Sequence, residues 1–283
     1  MYRTALLARA RCAALMLALL PCAAGAAAIG RFGGPYVGGA LRAGDADQVQ
    51  REWAQERFEK PVRLRIGENS GDGLEVARLG QWLRERRPVV QLERDCLRAC
   101  ARDLLMAGRA WLVERDVLIA FSSMDDWPLL LKQALDDGQL FADDGGLGAE
   151  VKARFVAQYR PLWERAQAVQ DLRSRAPGLP DAALRFLDQL TRPAGTERVT
   201  FSGGVGALTM THSALGCLAW VPDALGLKQL GVDLPTYQPP ALTEAAKRLK
   251  LPAERIYVGA IPDTPPAQPL CQGGYDDLGT LRR

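Results

Sequence analysis

Residues 88–123 read PVVQLERDCLRACARDLLMAGRAWLVERDVLIAFSS, and they decide the fold together with an earlier turn, ENSGDGL, at residues 68–74. Val89-Val90-Gln91-Leu92 predicts a short strand, residues 97–107 predict a helix, and Gly108 is placed to cap its C-terminus. Residues 110–113 and 117–121 are further strand candidates around the charged turn Glu114-Arg115-Asp116. Upstream, Val62-Arg63-Leu64-Arg65-Ile66 alternates with period two, as a strand does. After the glycine-rich turn, Leu74, Val76, Ala77, Leu79, Trp82 and Leu83 recur at helical spacing until Pro88 breaks the pattern. Strands alternating with helices in this way predict an α/β fold of parallel units with right-handed crossovers.

The chain opens with Arg3, Arg9 and Arg11, then an apolar run over residues 12–20, then Pro21 and the small residues CAAGAAA. A charged region, a short apolar region and an A-x-A-like site read as a secretory signal peptide over residues 1–28, cleaved near Ala26 or Ala28. A bilayer-spanning helix needs about 20 apolar residues, which this run lacks. Without that segment, 33 acidic side chains face an equal number of basic ones, so the small positive balance of the whole chain belongs to the signal. A nucleic-acid footprint is a clustered excess of Lys and Arg, and none is present. The protein is expected in the periplasm or secreted.

Four cysteines follow the signal: Cys96, Cys100, Cys217 and Cys271. An oxidising compartment favours disulfides, and four cysteines allow three pairings. Positions four apart on a regular helix hold their Cβ atoms about 5–6 Å apart, whereas a disulfide needs about 3.8 Å. Cys96 and Cys100 therefore pair only if Cys96 lies in the turn before the helix. No Cys-x-x-Cys occurs and His212 is the sole histidine, so no metal or other cofactor is expected.

The remaining chain divides by texture. Residues 29–47 are a glycine-rich, irregular lead-in, and 48–124 form the α/β core. Residues 125–193 are a helical insertion, with apolar faces built from Leu129 to Leu131, from Val151, Phe155, Tyr159, Leu162 and Trp163, and from Leu184, Phe186, Leu187 and Leu190. Residues 194–261 return to the core, through strand-like Val199-Thr200-Phe201, a proline-started helix over 220–232, and a late strand over 255–261. Residues 262–283 are an extended tail.

Three pieces resemble one family, the Clp-protease and crotonase superfamily, and within it the exported Clp-protease-like proteins of bacteria. Leu64-Arg65-Ile66 followed by Asn69-Ser70-Gly71-Asp72-Gly73 is similar to the strand and N-S-x-G-G turn that supplies an oxyanion-hole amide. Cys96-Leu97-Arg98-Ala99-Cys100, with Ala107-Gly108-Arg109 after it, is similar to the C-x-S-A-C segment and its later A-G-x-x-R. Residues 117–122 resemble the strand ending in G-F-H, and 220–232 the late helix ending in L-G-L. The resemblance implies repeated β-β-α units with a helical insertion, and assembly into rings or trimers through the helical layer, residues 127–190.

In that family a serine at a helix N-terminus attacks a carbonyl, a histidine takes its proton, an acid orients the histidine, and backbone N–H groups hold the oxyanion. Carried over, the nucleophile position is Arg98, the histidine position Ser122 and the acid position Ala219. All three roles are vacant, and losing one member of such a triad already costs several powers of ten in rate. Asp72 replaces a glycine of the oxyanion turn, and a pair with Arg98 is expected. The implied function is a pseudoenzyme that binds an envelope partner or a ligand through Arg98 and the Asn69-Ser70-Gly71-Asp72-Gly73 turn. Two alternatives stand beside it: a hydrolase with a relocated nucleophile, such as Cys96 or Cys100 with His212, and a binder of acyl or carboxylate ligands.

Overall fold

A computed structural model describes residues 28–30, 34–65, 71–122, 127–137, 149–175, 178–191, 198–204, 207–214, 217–263, 270–271 and 274–282. Residues 1–27 of the expected signal peptide, Asn69, Ser70 and Ser123 lie outside these residues. The protein is mixed α/β, and among the described residues two of three sheets contain parallel strand pairs.

The first sheet runs β1 (Ala28–Gly30), β2 (Tyr36–Gly38), β3 (Val62–Arg65), β4 (Val89–Leu92) and β6 (Ala110–Val113). All its pairs except β1·β2 are parallel. Parallel neighbours require crossovers; here α1 (Asp45–Trp53) joins β2 to β3, and α2 (Gly73–Arg86) joins β3 to β4. Val37, Val62, Leu64, Val90 and Leu92 point inward onto Val49 and Trp53 of α1 and Val76, Leu79 and Leu83 of α2, in one core. The lead-in expected to be irregular thus contains two strands, because β2 has β3 to pair with.

The second sheet runs β11 (Ile256–Val258), β10 (Ala219–Val221), β7 (Ile119–Ser122) and β5 (Cys96–Leu97). The helix expected over 97–107 begins later: Leu97 belongs to β5, a π-helical turn spans Cys100–Leu104, and a 3₁₀ turn spans Leu105–Ala107. Gly108 is extended and not left-handed. A glycine is needed there for close approach, since a Cβ would lie 2.6 Å from Trp111 Nε1. Trp220 and Val221 likewise belong to β10, and the helix after them, α6 (Ala224–Gln229), is capped by Asp223, whose Oδ1 accepts from Gly226 N at 2.7 Å.

The insertion is helical: α3 (Trp127–Asp136), α4 (Ala149–Arg175) and α5 (Asp181–Thr191). Its last helix joins the main core. Phe186 of α5 meets Trp220 at 5.1 Å between ring centroids, and Trp220 meets Phe121 of β7 at 5.3 Å. A third sheet is antiparallel, β12 (Gly274–Arg282), β9 (Ala207–Ala214), β8 (Arg198–Gly204), so the extended tail ends as a paired strand. One further helix, α7 (Leu242–Leu249), packs its Ala245 and Leu249 with Leu97, Ala120 and Ala219 in a smaller core.

Candidate functional site

The site grows from the end of β5. Leu97 pairs with Ala120, and Arg98 N still donates to Ala120 O at 2.8 Å, as a strand residue would. The backbone then turns through φ +54° at Arg98, and Arg98 O accepts from Arg102 N at 2.9 Å, as the first carbonyl of a helix. Among the described residues, Arg87, Asp116 and Lys250 also have positive φ. Arg87 and Lys250 close helices and Asp116 sits in the turn between β6 and β7, so of these four Arg98 alone enters a helix this way.

Cys96 and Cys100 flank this turn and form a disulfide with Cα atoms 5.2 Å apart. The condition read from the sequence is met, since Cys96 lies before the helical turn. Cys217 and Cys271 form the second disulfide. Both pairs consume their thiols, so neither Cys96 nor Cys100 offers a thiolate to His212. That histidine stands on β9 of the third sheet, in register with Val199 and Asp276.

Arg98, Ser122 and Ala219 come together at one concavity, also lined by Leu97, Ala120, Phe121, Leu249 and Leu251. Ser122 and Ala219 are direct partners across β7 and β10, and Ser122 Oγ donates to Leu218 O at 3.4 Å. Arg98 is exposed at the rim. The cavity holds about 20 Å³, room for about one water-sized group.

The wall supplied by Leu249 and Leu251 is absent from the sequence reading, although Leu242, Ala245, Ala246 and Leu249 have helical spacing and Glu244 and Arg248 the i,i+4 relation of a helical ion pair. Arg248 fixes this wall to the site: it donates to Glu244 Oε1 at 2.8 Å, to Asp95 Oδ1 at 3.2 Å and to Asp116 O. The hydrogen bond from Arg248 holds the Glu244 carboxyl below its ordinary pKa. Beneath, Tyr237 Oη accepts from Ile119 N at 3.1 Å, and burial raises its pKa to about 12.

Of the turn expected to resemble an oxyanion hole, the described residues Gly71, Asp72 and Gly73 do not line this concavity. Gly71 has φ +81° and bridges to Leu41, whose backbone a Cβ would strike. Asp72 caps α2, its Oδ1 accepting from Leu74 N at 3.0 Å, and Gly73 opens that helix. The expected Asp72–Arg98 pair does not form. Arg165 of α4 takes the Asp72 carboxylate instead, with Nε 2.9 Å from Oδ1, and Arg98 has no ion-pair partner among the described residues.

A second arginine of α4 anchors the element behind Arg98. Arg173 Nη2 lies 2.8 Å from Asp103 Oδ2 and Nε 3.2 Å from Oδ1, both side chains buried. Arg84 adds a third charge, its Nη1 3.4 Å from Asp103 O. Burial lowers the Arg84 pKa, Asp103 raises it and Arg173 lowers it further.

Among the described residues no group of three or more His, Cys, Asp and Glu side chains could hold a metal ion, and no helix is long and apolar enough to cross a membrane. No family model, curated protein or solved structure compared with the chain matches it.

Proposed function

We propose that the chain is a catalytically silent Clp-protease-like protein of the bacterial envelope, built on the crotonase-like fold and acting by binding a partner at the Arg98 turn. The observation that carries this reading is the meeting of Arg98, Ser122 and Ala219 at one concavity. These are the positions at which the resembling family places nucleophile, base and acid, and none of the three has the required group. A guanidinium has no lone pair for attack, Ser122 cannot accept the proton as an imidazole does, and Ala219 carries no carboxylate. Two disulfides agree with an oxidising compartment and hence with the periplasmic or secreted location proposed for it.

The size of the cavity favours a partner lying across the surface over an acyl chain buried inside, since about 20 Å³ admits little more than one water. Hydrolysis of an activated ester tests the silent reading. Wild type, Arg98→Ser and Ser122→Ala are expected to leave p-nitrophenyl acetate at its background rate, because a hydroxyl restored at 98 still lacks a base. Turnover by wild type that vanishes in Ser122→Ala would overturn the proposal in favour of a relocated nucleophile.

A further inference from the structure

The concavity at Arg98 stands at the carboxyl ends of two parallel strands, for Leu97 is the last residue of β5 and Ser122 the last of β7. In open α/β sheets that end of the strands is where ligands bind. Six of the lining residues are apolar: Leu97, Ala120, Phe121, Ala219, Leu249 and Leu251. The other two, Arg98 and Ser122, carry the polar side-chain atoms of the lining. A guanidinium donates hydrogen bonds and accepts none, and a serine hydroxyl can donate as well, so the polar side of the concavity suits a negatively charged acceptor.

The charges of the flanking elements leave that role to an incoming group. Asp95, just before β5, and Glu244 of α7 are both held by Arg248, and Asp95 Oδ1 also accepts from Leu118 N at 2.9 Å. Arg98 is exposed and has no ion-pair partner among the described residues. Its backbone is fixed from both sides, by the bond from its N–H to Ala120 O, by the bond from Arg102 N to its carbonyl, and by the Cys96–Cys100 disulfide around it. A cation presented from a fixed backbone loses less freedom when a ligand arrives.

We infer that the Arg98 concavity captures a carboxylate that stands beside a methyl-sized apolar group, as at the C-terminus of a partner peptide ending in alanine. The inference rests on the reading of the Arg98 turn as a binding site and supplies the chemistry of what binds there. One guanidinium neutralises one charge, which matches a carboxylate, whereas a phosphate dianion would bring a second charge against apolar walls. The volume of about 20 Å³ accepts a methyl group and excludes a leucine or phenylalanine side chain. In a C-terminal alanine the carboxylate and the methyl hang from one carbon, and the chain leaves in a single direction, across the rim. A free short acid such as propionate offers the same two groups without the chain.

NMR titration of the amide-labelled protein is the test, with N-acetyl-Gly-Ala, its C-terminal amide, N-acetyl-Gly-Leu and propionate as probes. N-acetyl-Gly-Ala shifts the amides of Leu97, Ala120 and Ala219 saturably, with a dissociation constant on the order of millimolar for one ion pair and one methyl contact. The amide leaves them in place. Arg98→Gln removes the charge at the same backbone conformation and weakens binding at least about tenfold, with its circular dichroism spectrum unchanged. N-acetyl-Gly-Leu binds more weakly than N-acetyl-Gly-Ala, and Leu251→Ala, which widens the concavity, narrows that difference. Propionate weaker than the dipeptide assigns the site to peptide C-termini; propionate equal to it keeps the carboxylate site and assigns it to short free acids. An amide that binds as the acid does, an Arg98→Gln protein that binds unchanged, or no saturable shift from any acid would each overturn the carboxylate site. Those results are distinct from ester turnover, on which catalytic silence falls.

Discussion

An arginine in the left-handed region gives up roughly 1–3 kcal/mol relative to an unstrained residue. At position 98 the strand hydrogen bond to Ala120 before the turn, the helical bond to Arg102 after it and the Cys96–Cys100 disulfide across it hold the backbone there. Arg98→Gly is therefore expected to leave the fold intact and to raise stability slightly, if at all, as seen in urea midpoints; a large loss would mean that the guanidinium has a structural task. The Asp103–Arg173 pair behaves oppositely. Both partners are buried, and Arg173→Met strands the Asp103 carboxylate, costing about 3–5 kcal/mol in urea unfolding. A loss under about 1 kcal/mol, the scale of an exposed pair, would refute the buried geometry. Tyr237 gives the pH dependence. Its folded pKa, about 12, stands above the ordinary phenol value, so its contribution is complete below about pH 10 and fades as pH rises through 12. Unfolding midpoints should fall more steeply between those pH values in wild type than in Tyr237→Phe; equal slopes would exclude the contribution.

At the scale of elements, the two disulfides close loops of very different length, 4 against 54 residues of separation. Loop-closure entropy assigns about 2 kcal/mol to the first and about 4 kcal/mol to the second. Replacing Cys217 and Cys271 by serine should thus lower the urea midpoint more than replacing Cys96 and Cys100; the reverse order would show that the short staple chiefly holds the strained backbone at Arg98. Most elements are legible in the sequence because their patterns are local: β3 and α2 on either side of a glycine turn, and β4, β6 and β7 as short apolar runs. The segment after Arg94 misleads because Leu97 through Ala107 has helical spacing throughout, whereas the pairing of Cys96 and Leu97 with β7 is a long-range contact that periodicity cannot register. Trp220 and Val221 read as helix for the same reason, and pair instead with β7 and β11.

For the whole molecule, the helical insertion does more than decorate the α/β core. Arg165 and Arg173 of α4 reach Asp72 and Asp103, on either side of α2, and Phe186 of α5 packs on Trp220 beneath the Arg98 concavity. Positions 98 and 122 are legible because each sits in a short motif and 219 because it directly precedes one, but the closure of the concavity by α7 is not, since it depends on Arg248 reaching across to Asp95. The sequence also suggests Asp72 as a partner for Arg98, whereas a 27-residue α4 carries Arg165 to that carboxylate from 93 positions away.

Fluorophosphonate labelling of the purified protein, read by intact mass with a peptide map of any adduct, bears most directly on the proposal that the Arg98 concavity is catalytically silent. The folded protein should keep its unlabelled mass, with Ser122 unmodified, because none of the described residues lining its concavity is a base that can draw off the hydroxyl proton. A stable adduct on a single serine, lost when the protein is unfolded first, would contradict catalytic silence and make that serine the nucleophile of a hydrolase.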